Sequence, residues 1–111
     1  MSDIRLEEVP FTIEDKTYLL RCNMNVLADV QEYYGGDFAS ALDGKSTMKS
    51  ALVFLAAMLN DYADDQGWEE RFSAKSLGRL YNLKDLPIDK IMALVVRSIT
   101  PEPASPDNSG N

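Results

Sequence analysis

Residues 8–22 read EVPFTIEDKTYLLRC, and the rest of the chain is best read outward from them. Val9, Phe11 and Ile13 form one alternating set, Tyr18, Leu20 and Cys22 form another, and the polar Glu14-Asp15-Lys16 separates the two. Alternation of period two on both sides of a short charged turn predicts a β-hairpin with one buried face, placed within residues 4–22. Pro10 has no N–H for a ladder, so the first strand should be an edge or begin near it. Cys22 keeps phase with Tyr18 and Leu20, which makes it a small core residue rather than a nucleophile.

Beyond Cys22 the period changes. Asn23 and Asn25 both suit a helix N-cap, and Val26, Leu27, Val30, Tyr33 and Tyr34 then recur at helical spacing. The stretch QEYYGGDF (31–38) ends that helix, because a glycine closes the last turn in the left-handed conformation at little cost. Asp37 then caps a short helix that Asp43-Gly44 stops. Ser46 or Thr47 caps the longest helix, in which Met48, Leu52, Leu55, Leu59 and Tyr62 form one stripe and Ala51, Phe54 and Met58 a second. A helix apolar over that much of its circumference is surrounded by its own domain or shared with another chain. Ser73 caps a further helix with Leu77, Leu80 and Tyr81 on one side. Asp85-Leu86-Pro87 opens the last one, whose core stripe is Ile88, Ile91, Met92, Val95 and Ile99, with Leu94 and Val96 left on its flanks.

The predicted fold is therefore α+β and mostly α: an N-terminal hairpin packed on a bundle of about five helices, at about 24–34, 38–42, 47–63, 74–81 and 87–99. Residues 1–99 form one domain. The end of the chain, TPEPASPDNSGN (100–111), holds three prolines and no large apolar side chain, and reads as a disordered tail.

Composition narrows the function. With 45% hydrophobic and 26% charged residues, the 111-residue chain has the mix of a globular domain. Its 18 acidic against 11 basic residues give a net charge of −7, which repels phosphate backbones and anionic lipid, and the cations are scattered. Nucleic acid and membrane are thus not expected partners, and DNA mimicry lacks the dense carboxylate stripe it needs. The start MSDIRLEEV is no signal peptide and Cys22 has no internal partner, so a reducing cytoplasm is expected. The longest apolar run, ALVFLAAML (51–59), is far shorter than the roughly 20 residues of a membrane span.

No motif carries catalysis. Gly44-Lys45-Ser46 matches the end of a phosphate-binding loop, but Ala39 stands where the pattern demands its first glycine. Asp61, Asp64, Asp65, Glu69 and Glu70 surround Gly67; a calcium loop in that register would put its first ligand on Tyr62 and its last on Ser73, and it fails. The absence of histidine removes the usual triads and His-containing zinc sites. No catalytic, metal or cofactor residues are expected. Contact with a partner remains. Phe54, Met58, Leu94 and Val96 are surplus to the main core stripes and form the candidate face for a client or for self-association; Tyr34 and Trp68 are the candidate interface aromatics, with a core role for Trp68 equally open.

The order of these parts resembles a known family. A hairpin of the form F-x-I-x-D-K-x-Y-x-L-R (Phe11 to Arg21), a helix of the form N-V-L-A-D-V-Q-E-x-Y-G (Asn25 to Gly35), a short helix, a long apolar helix and a closing helix after L-x-D-L-P (Leu83 to Pro87) are similar to the tail assembly chaperones of long-tailed bacteriophages and prophages, over residues 9–99. The resemblance implies a non-enzymatic protein that binds the long helical tape-measure protein, recruits tail-tube subunits, acts in the bacterial cytoplasm and is absent from the mature virion. It also implies a longer form made by ribosomal frameshifting near the end of the short frame. Readings from other classes are a structural tail component that forms a closed ring, such as a terminator or connector subunit, and a small acidic regulatory protein; homo-oligomers fit either the chaperone or the ring.

Overall fold

The computed structural model describes residues 7–42 and 47–100. Strands β1 (Val9–Ile13) and β2 (Lys16–Leu20) pair antiparallel, with Phe11 opposite Tyr18 and Thr12 opposite Thr17. Alternation sorts the two faces. Phe11, Tyr18 and Leu20 are buried, while the Thr12 and Thr17 hydroxyls meet at 3.0 Å on the outer face. Each strand of a two-stranded sheet has a free edge, which is why Pro10 is tolerated. The expected hairpin residues 4–6 and the expected tail residues 101–111 lie outside the described residues.

Helix α1 (Met24–Tyr33) starts at Asn23, whose side-chain oxygen accepts the Val26 N–H at 3.0 Å. It ends with a Schellman arrangement: the Gly36 N–H reaches the Gln31 carbonyl (2.8 Å), the Gly35 N–H reaches Glu32 (3.0 Å), and Gly35 sits at φ 68°. QEYYGGDF is thus a helix stop, as its residues predict. Phe38–Leu42, expected as a short helix, is a 3₁₀ turn in which Asp37 accepts from Ser40 through both its carbonyl and its carboxylate.

Helix α2 (Thr47–Gln66) runs to Gln66 rather than Ala63. Its carboxylates Asp64 and Asp65 are held by Arg71 and Arg21, so the polar turn stays helical until Gly67, at φ 77°, repeats the Schellman closure with Trp68 N–H on Ala63 O at 2.8 Å. Helix α3 (Ala74–Leu80) opens with a capping box between Ser73 and Ser76, each backbone N–H 3.0 Å from the other's hydroxyl. A 3₁₀ turn (Leu83–Asp85) that the sequence reading lacks leads into α4 (Ile88–Ile99).

The core is organised around α2, which contacts α1, α3, α4 and β2. Every residue from Val53 to Leu59 is buried. Of the two readings of this helix, the one that surrounds it with its own domain is the one realised. Three expected core positions are corrected. Met48 lies before the covered part of α2 and is exposed. Leu80 is 65% exposed because α3 rests on α2 through Ala74 and Leu77. On α4 the burial is carried by Ile91, Leu94 and Val95, which leaves Ile99 at the margin.

Long-range ties close the molecule. Asn60 on α2 makes a two-way amide clamp with Phe72, its Nδ2 donating to the Phe72 carbonyl at 2.9 Å and its Oδ1 accepting the Phe72 N–H at 2.8 Å. The Ser98 hydroxyl on α4 lies 3.2 Å from Cys22 Sγ, and Arg97 pairs with Glu7. Phe54→Ala should cost about 3–5 kcal/mol, the range for a phenylalanine removed from a packed interior, whereas Met48→Ser should change stability by less than about 0.5 kcal/mol. Urea unfolding followed by circular dichroism measures both.

Candidate binding groove

The six candidate contact residues do not come together. Phe54, Met58 and Leu94 are corrected to core: Phe54 is fully buried with its ring edge-on to Phe38 at 6.2 Å between centroids, Met58 is enclosed in the same core, and Leu94 is turned inward with Ile91 and Val95. They looked surplus because α2 needs apolar side chains on every face. Tyr34 is half-buried and its hydroxyl lies 3.2 Å from the buried Ser50 hydroxyl. Trp68 is half-buried, edge-on to Tyr18 (5.1 Å) and Tyr62 (5.8 Å), with the Lys16 ammonium 4.7 Å from its ring centre. Both aromatics therefore have partners inside the domain. Only Val96, 51% exposed, is free for contact; with Met92 and Ile99 at spacings of four and three it forms a narrow apolar stripe along α4.

The aromatic cluster also fixes the hairpin. Tyr18 is ringed by Tyr62, Trp68 and Phe72, and burial pushes its hydroxyl pKa up. Lys16 spans from the hairpin to Glu70 at 2.6 Å; that hydrogen bond raises the lysine's pKa and lowers the glutamate's. Burial likewise raises the Cys22 thiol pKa, against a smaller opposing effect of Ser98, which leaves little thiolate for nucleophilic chemistry.

Asp61, Asp64 and Asp65, close to Gly67, are committed to structure. Asp61 accepts from Asn23 Nδ2 at 2.7 Å and from Asn25 at 3.4 Å, Asp65 pairs with Arg21 at 3.5 Å, and Asp64 pairs with Arg71. Together they bind the start of α1 and the end of β2 to the end of α2. The Gly44-Lys45-Ser46 turn lies outside the described residues. None of the helices in the described residues is long and apolar enough to cross a membrane.

An open concavity of about 340 Å³ lies between α1 and the start of α3. Val53, Ala56, Ala57 and Asn60 of α2, spaced i, i+3, i+4 and i+7, make its floor. Asp29, Val30, Glu32 and Tyr33 of α1 form one wall, and Phe72, Ser73 and Ala74 the other. The Asn60–Phe72 clamp holds that second wall in place. Partial desolvation first, and then Glu32, Asp61 and Asp64 nearby, push the Asp29 carboxyl above the usual carboxylate range. At the Tyr33 end the Lys49 ammonium is 5.9 Å from the ring centre.

The sequence held a signal for this groove in Ala56-Ala57, small side chains in the middle of a helix otherwise lined with Leu, Phe and Met, and in Asn60, a polar residue within the same apolar stretch. No family model, curated protein or solved structure matches the chain.

A carboxyl whose pKa is raised by folding adds stability below its unfolded pKa, and that contribution is lost as pH rises through the folded value. Asp29→Asn should therefore raise the urea midpoint at pH 7, and the gain should disappear near pH 3. Cys22 should resist a disulfide reagent in the native protein and react fully in denaturant; rapid native labelling would contradict its packing against Ser98.

Proposed function

We propose that this chain is a non-enzymatic assembly chaperone of a long-tailed bacteriophage or prophage. In this reading it holds helical segments of the tape-measure protein in the bacterial cytoplasm, recruits tail-tube subunits, and is absent from the finished particle. The order of elements that suggested this family is the order found in the fold: hairpin, helix with a double-glycine stop, short turn, long apolar helix, short helix and closing helix.

The observation that carries the reading is the groove. It is a concavity floored by small side chains on a domain whose net charge is −7, and a chaperone for long apolar helices needs both: a place for the client's side chains and enough charge to keep the complex dispersed. Cys22, Asp61, Asp64 and Asp65 are engaged in structural contacts.

Two measurements test it. The DNA after this gene should carry a slippery heptamer near the codons for residues 100–111, followed by a very long helical reading frame. Co-expressed with this chain, the product of that frame should shift from the insoluble to the soluble fraction and co-purify. A long product whose solubility is unchanged and which is not captured would end the reading.

A further inference from the structure

We infer that the groove between α1 and α3 takes an amphipathic helix with a small-residue apolar face flanked by lysine or arginine. The inference rests on the proposed function only in treating the groove as the client's site. Its physical basis is independent, and has two parts.

The first is shape. Helices α1 and α3 both lean on α2 and leave between them a strip of it from Val53 to Asn60. That strip is about 10 Å long at 1.5 Å per residue, or two turns of a docked helix. Ala56 and Ala57 at its centre let another backbone approach at the short end of the usual 8–10 Å interaxial range, and a helix laid there completes a bundle around α2. Larger side chains on the incoming face would meet Tyr33 or Phe72 on the walls. An extended segment would find no free strand edge here, because the lining comes from helices and a turn.

The second part is charge. Asp29 and Glu32 stand one turn apart along the rim, and among the described residues neither forms an ion pair. Folding partly desolvates Asp29, and Glu32, Asp61 and Asp64 add like charge around it. A cation brought to this rim relieves that repulsion, and the domain's overall field draws it in. A second copy of the chain is the poorer occupant, because it brings another seven net negative charges to the same place. Lys49 lies beside Tyr33 at one end, so the cationic flank of the incoming helix belongs at the Asp29 end.

The probe is a fluorescent peptide of about 16 residues, just long enough to be helical alone, with Ala and Leu on one face and Lys beside it; its twin carries Glu at the Lys positions. Anisotropy with the full chain should show saturable micromolar binding of the lysine peptide, at least tenfold weaker binding of the glutamate peptide, and loss of affinity as salt rises. Asp29→Lys with Glu32→Lys, both on the exposed rim, should reverse the preference. Ala57→Trp, which fills the floor, should remove both interactions while circular dichroism keeps its native spectrum; if that variant fails to fold, the rim variant alone decides.

Equal affinity for the two peptides, no saturable binding, or an unchanged preference in the rim variant overturns the inference. So does a dimer in sedimentation that Ala57→Trp dissociates, which would make a second copy the occupant. If the long helical protein still co-purifies with the rim and floor variants, the groove assignment fails and the chaperone reading stands. If the lysine peptide binds as described but the long protein is never captured, the reverse holds.

Discussion

Helix α2 has no face to spare for water between Val53 and Leu59, and that constraint organises the domain. An isolated helix of this composition would aggregate; here each of the other elements removes part of its surface from solvent. The hairpin supplies Tyr18 and Leu20, α1 supplies Val26 and Val30, α3 supplies Leu77, and α4 supplies Ile91, Leu94 and Val95. Because burial is roughly proportional to apolar area, none of these contacts is individually decisive, and it is their closure around one cylinder that makes a cooperative core. The groove is one place where that closure leaves a concavity. Its floor is built from alanines and a valine, so little apolar area is left exposed even though no element lies over it.

The helix ends show how local chemistry places these covers. The two Schellman closures, at Gly35 and Gly67, each turn the chain sharply at the end of a helix, so the next segment folds back along the one it has just left. After the second closure the chain cannot drift, because Trp68 is caught in the Tyr18 and Tyr62 cluster and Phe72 is clamped by Asn60. The wall of the groove and the anchor of the hairpin are thus two ends of one five-residue segment, 68–72. Polar and aromatic contacts on that segment act together.

Much of this fold is legible from period and punctuation alone. The switch from alternation to helical spacing after Cys22, the Asn23 cap, the double glycine, and the Ser73 cap all act through the nearest few residues, so they can be read without knowing the tertiary structure. What could not be read is the pairing between elements. Phe54, Met58 and Leu94 looked like surplus contact surface because a single sequence shows how apolar a helix is but not how many neighbours cover it. Asp64 and Asp65 fell outside the expected helix at 47–63 because their cations, Arg71 and Arg21, come from elsewhere in the fold. The groove was missed for the same reason: small residues announce a close approach only once both walls are in place. The 3₁₀ character of Phe38–Leu42 is a finer distinction, since one turn of apolar periodicity fits either helix type.

The fastenings between Cys22 and Ser98 and between Glu7 and Arg97 join the first described segment to the last. They set an order of events during synthesis. A ribosome making this protein releases the hairpin and α1 first, yet Phe11, Tyr18 and Leu20 have nothing to pack against until α2 has emerged, and Cys22 stays uncovered until Ser98 follows. The native contacts of the hairpin and of Cys22 therefore form only once α2 and α4, respectively, have been made. Residues added after α4 are therefore joined to a chain in which all the strands and helices of the described residues have already been made.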